Sequence, residues 1–183
     1  MPNSLAGKLL VASPKLTDPN FSRTVIYLCE HNADGAFGLV LNRPLLDVDV
    51  AQHLPEWRTL AAEPGVVFAG GPVEPSVAIG LARGTGAIER GHWTPLTRGL
   101  GMVNLRTAPH ETAVDELRVF IGYSGWGAGQ LDGEVKGEDW FVIESEPHDV
   151  FTTDPAHAWR DVLRRQRGKL AMFAFHPVDP TVN

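Results

Sequence analysis

Residues 24–42 read TVIYLCEHNADGAFGLVLN. Thr24–Glu30 is a run of β-branched, aromatic and apolar residues, the composition that suits a pleated strand. His31-Asn32-Ala33-Asp34-Gly35 supplies turn chemistry, because Asn and Asp bond their own backbone and Gly admits a positive φ. Phe37–Asn42 returns as a second strand, so the segment reads as a β-hairpin with a five-residue loop. Upstream, Lys8–Ala12 is a short apolar strand closed by Ser13-Pro14. Downstream, Val66–Ala69 runs into Gly70-Gly71-Pro72, and Ser76–Ala82, Met102–Leu105, Leu117–Tyr123 and Trp140–Glu144 read as further strands. Asp49–Leu54 is expected to form a brief helix before Pro55, and Ala128–Lys136 another. A longer helix is expected after Asp154, a good N-cap, with Pro155 at its first position. Its core stripe would be Trp159, Val162 and Leu163 at i, i+3, i+4, and Gly168 its stop. Leu170–Phe175 reads as a final strand. Helices interrupt the strands irregularly rather than following each one, which predicts an α+β fold with a mixed or antiparallel sheet.

The chain has 183 residues, a length that suits a single domain over 1–183. Its apolar share of 43% and charged share of 21% are those of an ordinary globular protein. A single cysteine makes no intramolecular disulfide, and Met1–Lys8 holds no basic segment followed by an apolar one. Apolar runs such as Val25–Cys29 are too short to cross a bilayer as helices. A cytoplasmic protein without membrane contact is expected. The net charge of −6 puts nucleic-acid binding at a disadvantage, since phosphate contacts require a positive surface. The charge is unevenly spread. Asp132–Asp154 carries eight carboxylates against Lys136 alone, whereas 160–169 carries Arg160, Arg164, Arg165, Arg167 and Lys169 against Asp161. The simplest expectation is that these two segments face each other.

Known chemical motifs nearly occur, and each fails where its mechanism is strict. Gly122-Tyr123-Ser124-Gly125 resembles a nucleophile elbow, but Trp126 stands where a second glycine must relieve a crowded turn. Gly84-Thr85-Gly86 and Gly125-Trp126-Gly127 begin like dinucleotide fingerprints, yet Glu89 and Gln130 replace the third glycine. The seven histidines never lie three to five apart, so no pair faces one metal ion from adjacent helical turns. Cys29 inside the strongest strand reads as a small buried hydrophobe. Asp132, Glu134, Glu138 and Asp139 read as a solvated face before an acid/base pair. No catalytic residue, metal or cofactor is expected from this pass.

Several ordered blocks carry a family resemblance. They are Gly7–Pro14 with Leu16 and Asp18, Phe21–His31, Gly35–Pro44, and Gly70-Gly71-Pro72-Val73. A last block comprises Arg118, Phe120, Gly122–Gly127 and Gly129-Gln130-Leu131, with Glu134 and Trp140. Together they resemble the YqgE/AlgH family. The chain departs from the family pattern at Glu74–Leu81, where a polar, basic stretch is usual, and at Ser124, commonly Ala. The resemblance implies a compact α+β domain with a strongly curved, partly barrel-like sheet, found mostly in bacteria. It implies no established biochemical activity, and the family's transcriptional-regulator label rests on association.

Three readings of function follow. In the first, a non-enzymatic binding or regulatory module takes a small molecule or peptide where turns converge on a rigid sheet. Arg43 would meet an anion, Trp126 would stack, Asn42 and Gln130 would orient, and Gly70, Gly71 and Ser124 would let backbone approach closely. A structural alternative has Arg43 satisfying turn carbonyls and Trp126 capping the core. The second reading is a nucleic-acid-associated regulator using a basic helix over 160–169, with Arg160, Arg164 and Arg167 on one face. Those cations would equally complement the helix C-terminus. The third is an enzyme built on a pocket around Ser124 and Arg43. What separates them is whether open space lies between Asn42-Arg43, Gly70-Gly71 and Trp126.

Overall fold

The computed structural model describes residues 3–84 and 92–178. Ten strands run in chain order as β1 Lys8–Ala12, β2 Val25–Asn32, β3 Gly35–Val40, β4 Pro44–Asp49, β5 Val66–Ala69, β6 Val73–Gly84, β7 Trp93–Pro95, β8 Leu100–Val103, β9 Val114–Gly127 and β10 Trp140–Glu144. The helices among the described residues are α1 Val50–His53, α2 Gln130–Lys136, α3 Ala158–Arg164 and α4 Lys169–Phe173, with short 3₁₀ turns at Pro55–Trp57 and Pro109–Glu111. The sheet order is β10-β1-β2-β3-β9-β6-β8-β7; β5 adds to β9 in parallel and carries antiparallel β4. Every other pairing between the named strands is antiparallel, and the sheet curls into a half-barrel, an α+β fold.

The hairpin sits at the centre. Its turn is tighter than the sequence suggests: strand pairing continues to Asn32↔Gly35, leaving only Ala33-Asp34 outside. Asn32 Oδ1 accepts the Asp34 N–H at 2.8 Å, which closes the turn with a side chain. β2 is apolar at successive positions because both its faces are covered. Val25, Tyr27 and Cys29 join a core cluster beneath α3, with Trp159, Val162 and Leu163. Ile26 and Leu28 join a second cluster on the other face, with Leu131 of α2, Trp126 and Trp140. A third cluster holds β9 residues Leu117 and Val119 against Val50 of α1 and Trp57.

β9 changes its inward register part-way along. Phe120 and Tyr123 both belong with the first cluster, an even and then an odd position. Between them Gly122 takes φ +67°, beside a register shift in β6–β9 pairing. The extra residues of that shift lie on β6, between Val73 and Ala78, while the positive φ at Gly122 re-aims the β9 side chains beyond it, here Ser124 and Trp126.

Three sequence expectations are corrected. Leu170–Phe175 is not a strand: Lys169–Phe173 is α4, in keeping with the good helix formers Leu170, Ala171 and Met172. The helix expected from Pro155 begins later, at Ala158, because Asp154 closes a preceding turn by accepting the His157 N–H at 3.3 Å. It also ends earlier, at Arg164, while Gly168 with φ +64° starts α4 instead of stopping α3. No continuous basic helix spans 160–169, and Arg167 lies between two helices. β4 and β7 were unforeseen. Among the described residues no helix is long and apolar enough to cross a membrane.

Candidate functional site

Asn42 and Arg43 follow β3 and turn their polar groups back onto the chain. Asn42 Oδ1 accepts the Val25 N–H at 2.9 Å, and its Nδ2 donates to Arg23 O at 2.8 Å. The Arg43 guanidinium donates to Pro19 O at 2.9 Å and to Ser22 O at 3.1 Å. It fastens the loop ahead of β2, the structural role set against anion binding above. Gly70, Gly71 and Ser124 do come together. Ser124 is fully buried in β9, and its hydroxyl donates to Gly70 O at 3.2 Å. The backbone approach that these glycines permit is made by the sheet itself: a Cβ on Gly70 would lie 2.4 Å from Gly122 O. A nucleophilic Ser124 would need access and a base; it has neither.

Trp126 and Gln130 form a separate group with Glu134. The indole N–H of Trp126 and that of Trp140 both donate to Glu134 Oε2 at 2.8 Å. Gln130 Nε2 donates to Glu134 Oε1 at 2.9 Å, and Gln130 Oε1 accepts the Gly127 N–H at 3.0 Å. Trp126 crosses Trp140 edge-on at 6.1 Å and stacks with Phe21 at 6.4 Å. One carboxylate thus satisfies two buried indoles. Glu134→Ala leaves both N–H groups unpaired at about 1–3 kcal/mol in total. The expected result is a melting temperature lowered by about 4–8 °C with red-shifted tryptophan emission; an unchanged midpoint would show the pairing to be inconsequential.

The charge contrast resolves at a single arginine. Arg165, just past α3, donates to both oxygens of buried Asp149 at 2.6 and 2.7 Å and lies 3.5 Å from Glu146. The bond from Asp149 holds the guanidinium proton more firmly than usual. The acidic and basic segments therefore meet, as expected. Arg160, Arg164 and Arg167 stay exposed. Cys29 is buried, and burial pushes its thiol pKa up, away from reactivity. Among the described residues no three His, Cys, Asp or Glu side chains gather as a metal set. The Gly84-Thr85-Gly86 motif, with Glu89, extends outside the described residues.

A different site emerges at the end of β1. Ser13, Pro14 and Lys15 form one wall of a cavity of about 570 Å³; Glu138 and Phe141 form a second, and Lys169, Leu170 and Phe173 of α4 a third. Phe141 and Phe173 stack with centroids 5.1 Å apart, at the meeting of β10 and α4. Ser13 is 4% exposed, and its hydroxyl is out of reach of solvent and has no hydrogen-bond partner among the described residues. The sequence reads Ser13-Pro14 as a strand end and as the close of the first resembling block, and the α4 wall as a strand. The signal available was a polar residue closing the first apolar run.

A family model described as AlgH-like matches residues 9–171. The chain is 49% identical to a UPF0301 protein of Streptomyces coelicolor, over 99% of this chain and 96% of that one. It is 44% identical to a UPF0301 protein of Mycobacterium leprae, over 97% and 90%. Among solved structures it is similar to a protein from Corynebacterium diphtheriae, with TM-score 0.85, 33% identity and coverage of 92% and 91%. The solution structure of the AlgH protein from Pseudomonas aeruginosa is also similar, with TM-score 0.69, 28% identity and coverage of 98% and 97%.

Proposed function

The chain belongs to the AlgH-like family, and from that premise we propose a non-enzymatic binding module whose ligand site is the cavity between Ser13 and α4. The observation that carries this reading is the cavity itself, about 570 Å³ where β1, β10 and α4 meet, with Phe141, Leu170 and Phe173 as apolar walls and Lys15, Glu138 and Lys169 beside them. Apolar walls with a few polar groups that fix orientation are the usual composition of small-molecule sites. A regulator acting directly on nucleic acid is less well supported: α3 offers only Arg160 and Arg164, on a chain of net charge −6. A cytoplasmic setting goes with the proposal, since buried Cys29 asks for no oxidising compartment.

The test is a thermal-shift screen of small amphiphilic and aromatic compounds against wild type and Leu170→Asp. Leu170 is half-buried in the cavity wall, so the variant charges the site without opening the core. A ligand at ten times its Kd is expected to stabilise wild type by about 1.4 kcal/mol, or about 3–5 °C, and to leave the variant unshifted. If no compound shifts wild type, or if the variant shifts equally, the cavity is not the site.

A further inference from the structure

We propose that the outer side of α4, with the turn that follows it, docks on a membrane surface carrying anionic phospholipid. α4 has apolar residues on both sides. Leu170 and Phe173 face the cavity, with Phe173 stacked on Phe141. Met172 is 73% exposed, and Phe175 and Val178, just beyond the helix, are 77% and 79% exposed. The Phe175 N–H donates to Met172 O at 3.2 Å and the His176 N–H to Phe173 O at 3.0 Å. A three-residue spacing therefore continues past α4 and sets Met172 and Phe175 on one side. A helical segment that is apolar all round is ordinarily covered, and large apolar side chains exposed together mark an interaction surface. Neither Met172 nor Phe175 lines the cavity of the proposed ligand site, so the two surfaces are independent.

The charges decide what covers this side. Arg160, Arg164, Arg167 and Lys169 are all exposed, and none makes an ion pair among the described residues, whereas Arg165 does. Lys169 precedes Met172 by three positions, on the same side of α4. Arg23 joins α3 to the exposed apolar turn: its guanidinium lies 4.4 Å from the Trp159 ring centre and donates to His176 O. Burial and the nearby charge of Arg160 both lower the Arg23 pKa, so two cations face each other there. The carboxylates of adjoining elements are placed elsewhere. Asp161 lines a cavity with Arg165, Asp154 binds His157, and Glu138 stands on the opposite wall of the α4 cavity. An anionic lipid surface meets both demands: the apolar tips enter the headgroup layer while the cations stay at the phosphates. Nucleic acid would leave the apolar tips in water. A second copy docked by a two-fold axis would set these cations against themselves. The contact is peripheral, on a chain whose sequence suggested no membrane contact.

The experiment is co-sedimentation of the full chain with phosphatidylcholine vesicles and with vesicles of phosphatidylcholine and phosphatidylglycerol in equal parts. Wild type is compared with Phe175→Ser, Arg164→Gln and Lys169→Gln, exposed positions whose folds are checked by unchanged melting midpoints. Wild type is expected to sediment with the mixed vesicles alone, and less so as salt rises. Affinity should fall about fivefold for each cation removed, and at least about tenfold for Phe175→Ser. Equal binding to both kinds of vesicle, binding to neither, or full binding by Phe175→Ser would overturn the proposal. Fluorescence anisotropy with duplex DNA and analytical ultracentrifugation cover the other occupants. Binding of DNA that depends on Arg164 and Lys169 but not on Phe175, without vesicle binding, would give the face to nucleic acid. A dimer abolished by Phe175→Ser, again without vesicle binding, would give it to a second copy.

Discussion

Arg118→Met is expected to destabilise the fold by about 3–5 kcal/mol, lowering the melting temperature by about 10 °C. Arg118 lies on β9 with 2% of its surface exposed, yet among the described residues no carboxylate forms an ion pair with it. Its guanidinium donates through Nη1 to Val150 O at 2.9 Å and Thr152 O at 3.0 Å, and through Nη2 to Glu63 O. The flat face lies 4.4 Å from the ring centre of Phe68, so attraction to the π-cloud adds to the carbonyl dipoles. Burial lowers the Arg118 pKa to about 10, which leaves it charged at neutral pH. This one side chain binds two loops, 62–65 and 150–152, to the central strand.

Methionine keeps the apolar stem but leaves three carbonyls without the arginine's donors, the buried one of Val150 and the part-buried ones of Thr152 and Glu63. Each orphaned carbonyl costs up to about 1–3 kcal/mol before relaxation, and partial entry of water keeps the total below their sum. Arg118→Lys should recover part of the loss, because a point charge reaches one carbonyl but cannot span the fork. Urea unfolding of the three proteins, compared at constant m, gives the measurement. A loss below 1 kcal/mol for the methionine variant would mean that the loops are held elsewhere. The arginine appears in the resembling block of the sequence, but nothing in a sequence shows that its partners are carbonyls 32 and 55 positions away.

The limit of legibility follows the same line. The central hairpin, β5, β10, the short α1 ahead of Pro55 and the α2 segment were readable because their cues are local: β-branched runs, turn residues and a helix-ending proline. β4 was missed because it starts at Pro44, carries Asp47 and Asp49, and exposes much of its length. β7 is three residues ending in Pro95. α4 was misread because the apolar run LAMFAF has no clear period, and only its packing under Phe141 shows how it is folded. At the candidate site, Asn42, Arg43, Gly70, Gly71, Ser124, Trp126 and Gln130 were recognised as special residues. Their own chain supplies the partners that a ligand was expected to supply. A polar turn residue looks the same in sequence whether it binds a ligand or a distant carbonyl. The Ser13 cavity was invisible for the complementary reason: it exists only once β1, β10 and α4 meet.

Gly122→Ala is the second large effect, and a matched control separates its two causes. Gly122 has φ +67° and Gly129 has φ +69°, so an L-residue meets the cost of a positive φ at both. That cost is about 1–2 kcal/mol. Their surroundings differ completely. A Cβ at Gly129 would meet nothing within 4 Å, whereas at Gly122 it would lie 2.4 Å from Gly71 O, 3.1 Å from Val73 O and 3.2 Å from Pro75 Cα. These are backbone atoms, of Gly71 ahead of β6 and of Val73 and Pro75 at its start where it passes β9, and they cannot rotate aside. Overpacking of that kind adds about 1–3 kcal/mol. Gly129→Ala is therefore expected to lose about 1 kcal/mol and Gly122→Ala about 3–4 kcal/mol, read by denaturant midpoints. The glycine that opens the elbow-like Gly122-Tyr123-Ser124-Gly125 motif is then required for a strand crossing, and its presence says nothing about a nucleophile. Equal losses at the two positions would remove the crossing from that explanation and leave the positive φ alone as the reason for glycine.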